Sequence, residues 1–133
     1  MRFDLQLFGL PAPEYAPLAI RAEQLGFDTV WLADHVVTPA HYAPTYPYRG
    51  SDDPGIRPGT PLTDVTVTLG HLAARTIGTT RTTRTTRTTR TTRIRLGAGV
   101  LILPLRDPFH VARVRASLQQ LSAGRAVLGV GVG

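Results

Sequence analysis

From Arg2 to Leu7 apolar and polar residues alternate, with Phe3, Leu5 and Leu7 each following a polar residue, and this period predicts a strand over Arg2–Phe8. After the break at "LPAP" the period lengthens. Leu18, Ala19, Ala22 and Leu25 recur at helical spacing within Pro13–Phe27, a predicted helix with these four as its buried stripe and Gly26 as its stop. Asp28–His35 is rich in β-formers and predicts a second strand. Leu62–Thr76 predicts a helix in spite of its threonines, and Arg93–Leu103 a third strand. Asp107 as N-cap, Pro108 at the first helical position and Gly124 just past the end frame a third helix. Arg125–Gly133 reads as a fourth strand.

The order is β-α-β-loop-α-β-α-β, three and a half β/α units with short apolar strands. That is the pattern of a parallel α/β sheet of about four strands and three helices. Such units open into a doubly wound sheet or form half of an eight-stranded (β/α)8 barrel.

Two segments lie outside the pattern. Val36–Pro61 holds six prolines and three tyrosines, and a connection of this length within a compact domain is functional or disordered. Thr79–Arg93 is the triplet Thr-Thr-Arg five times over. On a helix a step of three spirals the arginines around the surface, and on a strand it alternates their faces. The repeat offers nothing to a core. It reads as a low-complexity insertion within a single domain of residues 1–133. The alternative is a phosphate-binding arm of a nucleic-acid-binding module, although the stacking aromatics of single-strand binders are missing from it.

Composition changes this picture little. The 133 residues suffice for one core, and 42 % of them are hydrophobic. The net charge is +6, and every one of the fifteen basic residues is arginine. Removing four triplets would leave +2, so the basic character belongs mostly to the repeat and nucleic acid is not an expected partner. Without cysteine there is neither a disulfide framework nor a thiolate metal site. The N-terminus lacks a signal-like apolar run, and Val100–Leu105 is far too short to span a membrane, so a cytoplasmic protein is expected.

Candidate chemistry sits at the strand ends. Asp34-His35 closes the second strand, at the end where parallel α/β folds place their sites. Alternation sets Trp31, Ala33 and His35 on one face and Leu32 and Asp34 on the other, so only one of the pair aims into the mouth of a barrel. A histidine there would transfer protons near neutral pH. The plainer reading makes Asp34 a loop cap and His35 a satisfied polar residue. Gly97 and Gly99, and Gly129, Gly131 and Gly133, bare one face of strands three and four. They leave either a slot for a flat ring or room for large neighbours. His41, His71 and His110 lack metal-ligand spacing, and no metal is expected.

Together, "LAIRAEQLGFDTVWLADHVVTP", the "YPY" loop and "IRLGAGVLILPLRDPFHVARVRASLQQLSAGRAVLGVGVG" resemble the luciferase-like monooxygenase superfamily, in particular its branch of coenzyme F420-dependent (deazaflavin) oxidoreductases. The resemblance covers nearly the whole chain except the repeat. It implies the N-terminal half of a (β/α)8 TIM barrel and hydride transfer between F420, alternatively FMN, and a small-molecule substrate. It implies that His35 is catalytic, and that Asp34, Gly97, Gly99, Val100, Val132 and Gly133 adjoin the cofactor. A non-proline cis peptide at Gly99-Val100 and a substrate-covering tyrosine loop are also implied. "LQQLSAGR" stands where the family pattern is "LDRLSGGR", and five triplets stand in place of one short link. The chain stops after strand four. It is therefore expected to be an incomplete domain, inactive alone and needing a partner: a second copy or the missing C-terminal half.

Overall fold

A computed structural model of the chain describes residues 1–37, 56, 59–76 and 93–132. The tyrosines of the loop and residues 79–92 of the repeat lie outside the described residues.

Four parallel strands form one sheet in the order β1 (Asp4–Leu7), β2 (Thr29–Leu32), β3 (Arg95–Ile102) and β4 (Ala126–Gly131). Helices α1 (Tyr15–Gln24), α2 (Val65–Thr76) and α3 (Pro108–Leu121) connect them. The expected class and element count hold: this is the arrangement of four consecutive strands of a (β/α)8 barrel. Leu7, Val30, Leu32, Leu96, Ala98 and Ala126 pack with Ala19, Val65, Leu69, Leu72 and Leu118 of the helices into one core. The intervening strand positions face the other side, where a closed barrel has its interior.

The strands are shorter than the periodicity predicts. β2 ends at Leu32, paired with Ala98, and not at His35. Beyond that point the Asp34 side chain takes the Ile102 N–H that a strand backbone would otherwise claim. α2 starts at Val65 and not at Leu62, because Asp64 caps it: its Oδ1 accepts the N–H groups of Thr66 at 2.8 Å and Val67 at 3.0 Å. α3 opens where expected, with the Asp107 carboxylate accepting the His110 N–H and Pro108 in the first turn.

The buried stripe of α1 needs correction. It is Tyr15, Ala16, Ala19 and Ala22, whereas Leu18 and Leu25 are exposed. The small alanines let the helix lie close to the sheet, and Tyr15 fills the space at its start.

At the far end of α3, Ala123 has φ +53° and Gly124 φ +82°. The left-handed region costs a residue with a Cβ roughly 1–2 kcal/mol. Ala123 stands where the resembled pattern has the first glycine of "SGGR". Exchange of Ala123 for glycine should therefore raise the unfolding free energy by about 1 kcal/mol, read as a higher urea midpoint at unchanged slope. A lowered midpoint would refute it.

The opposite ends of the strands are tied by Arg125. Its side chain donates to Ser122 O at 2.8 Å, Thr76 Oγ1 at 2.9 Å, Ile94 O at 3.2 Å and Ala73 O at 3.5 Å. Glu23 of α1 accepts the N–H groups of Arg93 and Ile94 just before β3. Burial pushes the Arg125 guanidinium below its ordinary value, and Glu23 pulls it back up.

Candidate functional site

The inner face of the sheet is built by absence. A Cβ on Gly97 would stand 2.3 Å from Trp31 Cε3, and one on Gly99 3.0 Å from the same atom. One on Gly129 would meet the Ala98 carbonyl oxygen at 2.8 Å and Trp31 Cζ3 at 3.6 Å. The flat ring over the two β3 glycines is thus this chain's own indole. Its Nε1–H donates to Asp4 on β1 at 3.0 Å. The glycine spacing signalled a bared face; nothing in it said that Trp31 would lie across.

A methyl group at position 97 cannot be accommodated by the strand backbone, so the tethered indole must move. Exchange of Gly97 for alanine should cost about 1–3 kcal/mol and change the emission of Trp31, the chain's single tryptophan. Unchanged stability and emission would show that the indole does not rest there.

Above the indole, towards the C-terminal ends of the strands, the face opens. The peptide bond between Gly99 and Val100 is cis, as the resemblance implies, and the β3–β4 register shifts between Ala98 and Leu101. Val100 is exposed, and its Cγ2 lies 2.7 Å from where a Gly131 Cβ would be. Val132, just past β4, is also exposed. Gly133 lies outside the described residues. On the β1 side, His35 is exposed, and its ring meets Phe8 edge-on with centroids 5.4 Å apart. The rim thus carries one imidazole and several uncovered apolar groups, a surface that suits one edge of a planar heteroaromatic ring.

Asp34 and His35 part company, as alternation requires. The Asp34 side chain is only 2 % exposed and pairs with Arg106 Nη2 at 2.6 Å. Its other oxygen accepts the Ile102 N–H at 3.0 Å. Arg106 also reaches Asp64 at 3.4 Å. Partial burial pushes the Asp64 carboxyl up, but its bonds to Thr66 and Val67, with Arg106 beside it, hold it below its ordinary value. Sequence reasoning passed over Arg106. Its position directly before the Asp-Pro start of α3, at a strand's C-terminal end, was the available signal.

Among the described residues no group of three or more His, Cys, Asp or Glu could hold a metal ion, and no helix is long and apolar enough to cross a membrane. His71 and His110 are exposed on α2 and α3, and His41 lies outside the described residues.

Comparison with known proteins adds an independent line. A family model described as luciferase-like monooxygenase matches residues 9–133. The F420-dependent glucose-6-phosphate dehydrogenase of Kineococcus radiotolerans is 32 % identical over 128 residues, covering 92 % of this chain and 29 % of that protein. An uncharacterised protein of Mycobacterium tuberculosis is 32 % identical over 117 residues, 88 % of this chain and 35 % of that one. Among solved structures, the F420-dependent tetrahydromethanopterin reductase of Methanopyrus kandleri superposes with a TM-score of 0.64 at 22 % identity, over 99 % of this chain and 27 % of that one. The oxygenating component of 3,6-diketocamphane monooxygenase from Pseudomonas putida, solved with FMN, gives 0.62 at 17 % identity, over 100 % and 30 %. These two likenesses are of fold. The chain spans about a third of the length of the relatives it matches.

Proposed function

The chain belongs to the luciferase-like monooxygenase family, and from that premise we propose that it forms the His35-bearing part of an F420-dependent oxidoreductase site. The observation that carries this reading is the rim itself: an exposed imidazole just past β2, set against Phe8, at the same end of the sheet as the exposed Val100 and Val132. The F420 dependence of the Kineococcus relative supports the choice of cofactor. FMN is the alternative, in keeping with the FMN complex of a protein of like fold.

A bound deazaflavin supplies the hydride donor or acceptor. Val100 and Val132 would border the ring, whereas Gly97 and Gly99 lie beneath the indole. Asp34 belongs to the same strand end, its carboxylate committed to Ile102 and Arg106. His35 would accept the hydroxyl proton of a substrate alcohol at an imidazole nitrogen when the carbon gives its hydride to the coenzyme, and would return that proton to the carbonyl oxygen in the reverse direction. Its exposure lets that proton exchange with water, and Phe8 restrains the ring against free rotation.

Residues 1–133, put into the Kineococcus enzyme in place of the 29 % of it that this chain matches, test the reading. The chimera should reduce F420 with glucose 6-phosphate. A folded chimera without turnover would overturn it.

The partner of the isolated chain is proposed on separate grounds. Parallel sheets are normally covered on both faces. Here the helices cover one, while Trp31 is half-buried and Val100 and Val132 are exposed. Strands β1 and β4 are the edges. A second copy related by a two-fold axis along the strands pairs β4 with β1 twice and brings the strand count to that of a barrel. Light scattering after size exclusion should give a dimer or larger species. A monodisperse monomer would contradict this.

A further inference from the structure

We propose that Arg106 is a positioning residue for His35, acting through Asp34. The β2 ladder ends at Leu32, so no strand pairing continues through Ala33 to His35. What ties this segment to β3 is the Asp34 carboxylate, on the Ile102 N–H at 3.0 Å. That carboxylate is almost fully buried, and a buried carboxylate keeps its charge only when paired. Arg106 supplies the countercharge at 2.6 Å and is itself four-fifths buried, with 19 % of its side chain exposed.

The guanidinium has a second grip. At 3.4 Å it meets Asp64, whose other oxygen caps α2. Asp34 and Asp64 stand at the two ends of the connection from β2 to α2. One arginine therefore fixes both stems, and its backbone is held in turn by the Arg106 N–H on Leu103 O at 3.0 Å and by the start of α3 at Pro108. Asp34 is buried and the adjacent His35 exposed, so anchoring the first restricts the backbone from which the second projects. The Phe8 contact reports the direction of the imidazole. The catalytic relevance rests on the proton-transfer role given to His35 above; the geometry stands without it.

The test is the ring-current shift of the His35 imidazole protons, measured by NMR on the 133-residue chain with labelled histidine. The Trp31 indole N–H resonance serves as the check on the fold. R106M should lose the shift that Phe8 imposes, moving His35 towards free histidine, with the Trp31 resonance in place. D34N should do the same. R106K, which keeps the charge but not the two-armed fork, should retain part of the shift. D64N should retain most of it. An unchanged His35 in both R106M and D34N would overturn the proposal. So would global unfolding of R106K and D34N together with R106M, since the pair would then hold the whole fold and not one imidazole. If His35→Ala leaves turnover intact in the chimera while R106M still frees the imidazole, the catalytic reading fails and the positioning stands.

Discussion

Exchange of Arg125 for methionine should leave the chain unfolded, or close to it, at ambient temperature. The arginine is 8 % exposed, and its guanidinium serves four acceptors from three places: Ser122 at the end of α3, Thr76 and Ala73 on α2, and Ile94 before β3. Methionine fills much of the volume but donates nothing. The Ser122, Ala73 and Ile94 carbonyls would be left without this donor in a site too enclosed for bulk water, and Glu23 would lose a neighbouring positive charge. Each buried acceptor left without its donor costs about 1–3 kcal/mol, and several are left at once. A small domain has roughly 5–15 kcal/mol in all, so the loss consumes a large part of it. Urea unfolding followed by Trp31 emission measures the effect. A midpoint close to that of the unaltered chain would show that the network is dispensable.

In the Kineococcus chimera, exchange of His35 for alanine should lower turnover by about 10²–10⁴-fold while cofactor affinity changes far less. The imidazole is exposed at the rim, so its removal opens no cavity in the core. Its loss takes away the titratable group and the edge-on contact with Phe8, and leaves Val100 and the bared glycines in place. A proton-transfer role predicts that the basic or acidic limb of the pH–rate profile assigned to His35 vanishes with it. Equal loss of affinity and turnover would make His35 a binding residue. Unchanged turnover would return it to the plain polar role.

Much of this was legible in the chain. Asp107-Pro108 and Gly124 framed α3 because capping is local chemistry, read from a few neighbouring residues. Alternation separated Asp34 from His35, yet could not say which one faced the core, because that depends on the side the helices take. The bared β3 face was visible in Gly97 and Gly99. Its occupant was not, since Trp31 reaches it from another strand. Leu18 and Leu25 matched the helical period as well as the true stripe did. Choosing Tyr15, Ala16, Ala19 and Ala22 requires knowing how closely α1 approaches the sheet. Arg106 and Arg125 looked like two more arginines among fifteen; only their partners, far off in sequence, set them apart.

Everything proposed for the rim depends on the strand ends of this chain bordering an F420 ring. Titrating F420 into the chimera and following the coenzyme's own fluorescence tests this directly, with FMN as the competing ligand. Saturable binding of one F420 per chimeric chain is expected, weakened when the exposed Val100 is replaced by aspartate and little changed when His35 is replaced by alanine. A folded chimera that binds neither coenzyme, or binds F420 equally well with aspartate at position 100, would contradict it.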